Sequence, residues 1–572
     1  MLARFILSYY KKTPLKMLFG FVMLIMVDLA QLFIPRMGQK AIDLVASGNQ
    51  DLNSLMKLSL ITVGLALSIG ICRFTWRMII IGTSHFIEND FKNKLYDHLL
   101  KLDSNFYNKT KTGDIMAHMT NDMQALRMST AFGMISGFDA IFLFSAALIF
   151  MLKLDVKLTL FAMAPLPIIS IITLFAMKLM FKYFKDVQES FSQLTDKVQE
   201  LLSGIKVVQA FRQEDKERER FNVTSRDYVK KNIDLIKLWG TMFPLIFFFS
   251  NLGAALVLYV GGQYAILGEI TPGEFVAFFV YLGIITWPMM AVGWASNIFQ
   301  RGNASYKRIR EFLKEEAKIV DGRDAKSVSL KGEIEFRNVS FSYQDKSVLK
   351  NLSMKINSGE YIGIIGRIGT GKSTIAKLIL RIIEPTSGEI LFDSIDYRKI
   401  KIDSVRDSIG YVPQDSFLFS MSIIDNIKFG KRDATDEEVQ AVVKASAFYK
   451  DLIDFKHGLE TIVGEKGVTL SGGQKQRLCI ARALIRKPSI LILDDALSAV
   501  DTNTEKEILH NLSDFSKGIT TIVISHRISS FINADNIYVL GDENLESSGK
   551  HSELILSSPL YREFYRIQRM EE

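Results

Sequence analysis

Hydrophobic residues fall along this chain in two rhythms. Up to about residue 300 they form long runs of Leu, Ile, Phe, Met and Ala. Beyond about residue 330 they alternate over short stretches with charged residues, Gly and Asp. A helix of about 20 mainly apolar residues crosses the hydrocarbon core of a bilayer. Six such runs stand near 16–35, 55–81, 131–152, 157–179, 241–267 and 274–300. The connections 36–54, 153–156 and 268–273 are short, whereas 82–130 and 180–240 are long and rich in Lys and Arg. The bias of basic residues toward the cytoplasm puts the long connections and both termini on that side. An even number of spans agrees. Val198, Leu201, Leu202, Ile205 and Val208 recur at helical spacing, so the long connections read as extensions of the spans. Breaks at Thr112-Gly113-Asp114 and Ser203-Gly204 predict short contact elements at their tips.

Residues 1–12 predict an amphipathic helix on the cytoplasmic membrane surface. The expected organisation is that elbow helix over 1–12, a six-helix, all-α membrane domain over 13–315, a linker over 316–330 and an α/β domain over 331–572.

The net charge of +8 does not point to nucleic acid. Arg4, Lys11, Lys12 and Lys16 precede the first run, and Lys92, Lys94, Lys101, Lys109 and Lys111 follow the second, as membrane topology requires. No nucleic-acid reading module is visible. Cys72 lies in an apolar run and Cys479 in the water-soluble half, so no disulfide framework is expected. No small-residue cleavage site follows the first run, which therefore reads as an anchor.

Ionisable groups inside spans are costly and count as functional candidates. Asp28 stands about 12 residues into the first span, ~18 Å deep at the helical rise, and Asp139 lies in the third. Two readings stay open: acids facing a water-filled cavity that draws cationic substrates, or hydrogen-bonded residues between helices. Arg73 and Arg77 read as snorkelling side chains at the cytoplasmic end of their span. Phe247, Phe248, Phe249, Trp287, Met289, Met290 and Trp294 suit either an adaptable apolar pocket or contact with lipid.

The soluble half carries explicit chemistry. Gly366-Arg367-Ile368-Gly369-Thr370-Gly371-Lys372-Ser373-Thr374 matches the P-loop pattern between an apolar strand, Tyr361–Ile365, and a helical run, Ile375–Ile382. Its glycines let backbone N–H groups close around phosphates at a helix N-terminus. Lys372 is expected at the β- and γ-phosphates of ATP, and the Ser373 hydroxyl on Mg²⁺. The strand Ile490–Leu493 delivers Asp494, the carboxylate expected to hold Mg²⁺ in place.

Between these motifs stands Leu470-Ser471-Gly472-Gly473-Gln474. With it the chain resembles, over essentially its whole length, a half-size bacterial ABC exporter of the multidrug and lipid type. The resemblance implies a transport ATPase of the bacterial cytoplasmic membrane that uses ATP and Mg²⁺. It also implies that Tyr343 stacks on adenine, Gln414 bridges Mg²⁺ and the membrane domain, Asp501 belongs to the D-loop, and His526 is the switch histidine at the γ-phosphate. Thr461–Gly467 resembles the segment that exporters use in coupling. Ser471, Gly472, Gly473 and Gln474 would close over nucleotide on the P-loop of a second ATPase domain, so the resemblance implies a dimer. On that arrangement the tip near Gly204 contacts the partner's ATPase domain, and the tip near Gly113 is expected to touch both.

Asp495 departs from the family pattern, which has glutamate there to polarise the attacking water. Asp and Glu have similar intrinsic pKa values, about 3.9 and 4.3, so basicity is not the loss. Reach is the loss. The pattern resembles the Asp-bearing half of heterodimeric multidrug exporters such as the Lmr and Bmr pairs, in which the partner chain carries the glutamate. The expected function is export of amphipathic drugs and similar hydrophobic or cationic compounds. The alternatives are a lipid or lipid-precursor flippase, a homodimeric exporter, and an ATP-gated pore or regulatory subunit.

Overall fold

Long apolar runs become long helices. A computed structural model describes residues 2–48, 51–344, 346–464, 467–515 and 517–571. It divides the chain into two units, one built from residues up to Leu100 with Lys111–Glu315, the other from Lys101–Thr110 with the chain after Glu316.

The first unit opens with α1 (Leu2–Tyr10), whose Leu2, Ile6, Tyr9 and Tyr10 are buried while Arg4 and Ser8 stay exposed. Then come α2 (Pro14–Ala46) and α3 (Leu52–Leu99). In the second unit α4 (Ser104–Lys109) follows. The first unit resumes with α5 (Thr112–Leu154), α6 (Val156–Met163), α7 (Leu166–Ser203), α8 (Ile205–Ala210), α9 (Glu214–Leu267) and α10 (Pro272–Phe312). The 48 residues of α3 extend ~72 Å at the helical rise. That is more than twice the hydrocarbon core of about 30 Å, so the helix continues well beyond the bilayer.

Among the described residues, α2, α3, α5, α9 and α10 are long and apolar enough to span a membrane. The expected fourth span, 157–179, is not one helix but is divided between α6 and α7. Pro165 stands at the division; it has no N–H to continue the α6 ladder and instead begins α7. A sixth span is therefore reached only by joining those two pieces, and several side chains of 166–177 lie outside the described residues.

Helices α2 and α3 approach closely where a Cβ on Gly20 would lie 2.9 Å from the Ile79 side chain. Small residues at such crossings let backbones pack. Tyr281 on α10 donates to the Leu32 carbonyl of α2 at 2.8 Å, and Asp43 accepts from the Gly273 N–H at 2.8 Å, capping α10.

Asp28 is 4% exposed and Asp139 half-buried, and among the described residues neither the Asp28 Oδ2 nor the Asp139 Oδ1 has a hydrogen-bond partner. The charges of Asp139 and Arg73 lie near enough to act on Asp28. Arg73 itself is half-buried. Arg77 stacks on Trp76 at 5.6 Å. Phe247, Phe248, Trp287 and Trp294 are exposed, and the Met290 side chain lies outside the described residues.

The second unit is α/β. Strands β1 (Ile334–Tyr343), β2 (Lys346–Ile356), β4 (Ser387–Phe392) and β5 (Ile395–Asp396) form an antiparallel sheet in the order β2-β1-β4-β5. A second sheet has the order β10-β9-β3-β8-β7-β6, with β3 (Tyr361–Gly366), β6 (Ile409–Val412), β7 (Ile490–Asp494), β8 (Thr520–Ile524) and β9 (Asn536–Leu540) parallel and β10 (Leu545–Gly549) antiparallel at the edge. Helices α11 (Lys372–Ile379), α12 (Ile402–Asp407), α13 (Ile423–Lys428), α14 (Asp436–Ala445), α15 (Gly472–Leu484), α16 (Thr502–Phe515), α17 (His551–Ser557) and α18 (Pro559–Glu571) complete it.

Strand β7 is buried throughout because both faces of its sheet are covered. Ile490 and Ile492 pack with Phe336 and Phe392 of the antiparallel sheet, while Leu491 and Leu493 pack with Leu478 and Ile480 of α15. β3, β7 and β8 run parallel, so their C-terminal ends deliver the P-loop, Asp494 and His526 to one edge, where ligands bind in open α/β sheets.

Candidate nucleotide site

A cavity of about 460 Å³ lies at that edge, bordered by Tyr343, Gly369, Gly371, Lys372, Ser373, Thr374, Gln414, Asp494, Asp495 and His526, with Asn108, Lys346 and Lys377 among the others. Positive φ at Gly369 (+88°) and Gly371 (+91°) lets the loop fold back before α11 begins. Gly366 lies beneath the loop, where a Cβ would come within 2.7 Å of the Thr370 hydroxyl.

The Lys372 ammonium donates to the carbonyls of Gly366 and Arg367, 2.8 Å each, which aims it along the loop. Lys372 is only 8% exposed. Burial lowers its pKa to about 8, with Asp494 and Asp495 opposing. Phosphate in the cavity would hold the ammonium charged to higher pH. Nucleotide affinity should therefore be level below about pH 8 and fall about tenfold per unit above it. Binding titrations across that range test this; a flat profile through about pH 9 would mean that the lysine charge contributes nothing.

Ser373 donates to Asp494 Oδ1 at 3.0 Å, and the Tyr411 phenol donates to Asp494 Oδ2 at 3.4 Å. Burial pushes the Asp494 carboxyl up, partly offset by those two donors. A buried carboxylate beside a hydroxyl and the Gln414 amide is an all-oxygen donor set, which fits Mg²⁺ and not a softer metal.

Asp495 follows β7 in the left-handed region, φ +48°, which Asp tolerates better than most residues. Its N–H donates to the Ile524 carbonyl at 2.8 Å, fixing it beside β8. Partial desolvation at the cavity edge, then the nearby Lys372 charge, lowers the His526 pKa below its ordinary 6.5, while Asp495 and Asp494 oppose. The imidazole is therefore neutral at neutral pH.

Ser471, Gly472, Gly473 and Gln474 do not line this cavity. Ser471 caps α15 instead: its hydroxyl accepts from the Gln474 N–H at 3.3 Å, and the Gln474 side chain accepts from the Ser471 N–H at 2.9 Å. A Cβ on Gly473 would lie 3.1 Å from the Ala499 carbonyl, so the glycines admit close packing against that loop. Asp501, like the signature residues, does not line this cavity. Its carboxylate accepts from the N–H groups of Asn503 and Thr504, at 3.1 and 3.0 Å, and caps α16, away from the cavity. Within Thr461–Gly467, Glu465 and Lys466 lie outside the described residues.

Several participants carried no sequence signal. Gln476, 4% exposed, donates to the Ser498 hydroxyl at 3.1 Å and accepts from the Ala499 N–H at 3.0 Å, joining the signature helix to the loop after Asp495. Arg527 donates to the carbonyls of Val500 and Ser498 and pairs with the buried Glu505 at 2.9 Å. Asn108 reaches the cavity from a segment more than two hundred residues away in sequence.

Two family models match: the ABC transporter transmembrane region over residues 17–289 and the ABC transporter domain over 349–498. The chain is 38% identical to a Bacillus subtilis protein described as a probable multidrug resistance ABC transporter ATP-binding/permease protein, YheI, covering 98% of this chain and 97% of that one. It is 34% identical to the multidrug resistance-like ATP-binding protein MdlA of Escherichia coli, over 99% and 96% of the two chains. An ATP-dependent lipid A-core flippase of Syntrophus aciditrophicus is 30% identical over 93% of this chain and 88% of its own length. A solved bacterial Atm1-family ABC exporter with ATP bound superposes with a TM-score of 0.80 at 25% identity, covering 97% of this chain and 99% of that one.

Proposed function

The chain belongs to the ABC transporter family as a half-size exporter, and on that premise we propose that it exports amphipathic drugs as one half of a heterodimer whose own nucleotide site hydrolyses slowly. At the family level it is a transport ATPase, multi-pass in the bacterial cytoplasmic membrane with its ATPase domain in the cytoplasm. The elbow over 1–12, the membrane domain over 13–315, the linker over 316–330 and the ATPase domain over 331–572 are the working division.

The observation that carries the reading is the pairing of Asp495 with an otherwise complete cavity. ATP would stack its base on Tyr343 and lay its phosphates along the loop, against Lys372. Ser373, Gln414 and Asp494 would hold Mg²⁺, which when bound neutralises charge developing on the phosphates. His526 would contact the γ-phosphate as a neutral imidazole. Asp495 stands where a base must reach the attacking water, and its side chain is one methylene shorter than glutamate. That shortfall is roughly 1 Å, and such a misplacement can cost about 100-fold in rate.

Ser471, Gly472, Gly473 and Gln474 do not line the chain's own cavity, which supports a role on the nucleotide of a second subunit. A partner with the glutamate would then hydrolyse ATP under this chain's signature, while the site at Asp495 holds ATP and stabilises closure. Drug relatives above 33% identity favour hydrophobic or cationic small molecules as cargo.

The lipid A-core flippase relative favours lipid as a second reading. Proteoliposomes of the purified complex separate the two. ATP-dependent accumulation of ethidium or Hoechst dye, without movement of a fluorescent phospholipid, is expected. Movement of phospholipid alone would replace drug export with lipid translocation, and neither activity would remove the transport reading.

A further inference from the structure

Helix α18 touches both loops at the phosphate end of the nucleotide cavity. Gln568 donates from Nε2 to the His526 carbonyl and accepts at Oε1 from the Ile528 N–H at 2.8 Å. One planar amide therefore fixes the backbone before and after the residue that follows His526, since its donor and acceptor ends are not interchangeable. Five residues earlier on the same helix, Glu563 pairs with Arg367 in the P-loop at 3.0 Å. The Arg367 carbonyl is one of the two that receive Lys372.

His526 itself is exposed, and among the described residues its imidazole makes no hydrogen bond. Its place over the cavity is set by the backbone that carries it. The parallel ladder of β8 ends at Ile524, and beyond it the Ser525 N–H still reaches the Ile364 carbonyl at 3.3 Å. From there the loop is held from two directions. Arg527 ties it to the carbonyls of Ser498 and Val500, and Gln568 ties it to α18. Ile528 is 3% exposed, so loss of Gln568 leaves a buried N–H without its acceptor.

We propose that Gln568 is a positioning residue for His526, and that its bridge from α18 to the switch loop sets how strongly this site prefers ATP to ADP. This rests on the reading above that the cavity binds ATP with His526 at the γ-phosphate. ADP has no γ-phosphate, so displacement of His526 weakens ATP binding and leaves ADP binding where it was. A helix that merely packed against the domain would affect both nucleotides together.

The test uses the assembled full-length transporter, photolabelled on this subunit with 8-azido-ATP and competed with ATP or ADP. Gln568→Ala is expected to raise the ATP concentration needed for competition about 5- to 10-fold and leave that of ADP within about twofold. Gln568→Glu, which keeps the acceptor for Ile528 and loses the donor to His526, should fall between wild type and Gln568→Ala. Glu563→Ala, which frees Arg367 but not the switch loop, should preserve the ATP/ADP ratio. Equal losses of both nucleotides in Gln568→Ala, or an unchanged ratio, would overturn the proposal. His526→Ala supplies the separate check. If it removes the preference for ATP and Gln568→Ala does not, only the role of Gln568 fails; if it leaves the preference intact, the assignment of His526 fails.

Discussion

Replacing Ser471 with alanine is expected to cut ATP turnover of the assembled transporter by about 100-fold, while Asp495→Ala leaves turnover within about twofold. The first figure is the size of effect seen when a preorganised donor to transition-state charge is removed. Ser471 also caps α15, and loss of that cap costs about 1 kcal/mol. That is too little to unfold the domain and acts on stability, not on the chemical step. Thermal unfolding therefore distinguishes the two contributions: turnover should collapse while the melting transition moves by only a few degrees.

The contrast with Asp495 follows from where each residue sits. Ser471 stands outside its own cavity, and its hydroxyl, which caps α15 only as an acceptor, can still donate to nucleotide on a neighbouring subunit; Asp495 lies inside, beside Lys372 and His526. If a partner provides the glutamate, the working site contains Ser471 of this chain and not Asp495. Turnover lost equally in the two variants would mean that Asp495 is the working base, and a homodimer with two slow sites would become the better description.

The nucleotide cavity was legible because its signals are contiguous. P-loop residues 366–374 and Asp494 at a strand end are each fixed by local backbone geometry, so pattern and position coincide. Asp501 adds a local detail the motif does not announce: the free N–H groups at the start of α16 hold its carboxylate. The division of the fourth apolar run at Pro165 was not foreseen either, because an apolar count does not register where a helix is interrupted.

Long-range partners were not legible at all. Gln568 and Asn108 are single polar residues whose roles arise from folding distant segments together. Nor does a hydropathy window foresee that the charges of Arg73 and Asp139 would act on Asp28. Charges in an apolar run are visible; their mutual placement depends on how helices rotate against one another.

Lys372→Met is expected to weaken ATP binding on this subunit by about 100-fold without lowering the stability of the nucleotide-free transporter. Charge-assisted hydrogen bonds to phosphate are the strong ones, and the lysine is held ready for them by two carbonyls. The stability half of the prediction comes from the cost of keeping it there. Burial lowers the lysine from 10.5 to about 8, a difference worth ~3 kcal/mol. Below about pH 8 the group is charged in both folded and unfolded chains, so the folded state bears that cost in full. As pH rises from about 8 to 10.5 the cost disappears, because the folded lysine is already neutral. Methionine removes it at every pH and forgoes two carbonyl hydrogen bonds worth ~1 kcal/mol each. The terms nearly cancel, so the nucleotide-free melting temperature should hold or rise slightly near neutral pH, while the upward shift on adding ATP is lost for this subunit. A clear fall in the nucleotide-free transition would show that Lys372 is retained to support the loop; its absence, with binding lost, would show that the fold tolerates a buried cation there because phosphate offsets its cost.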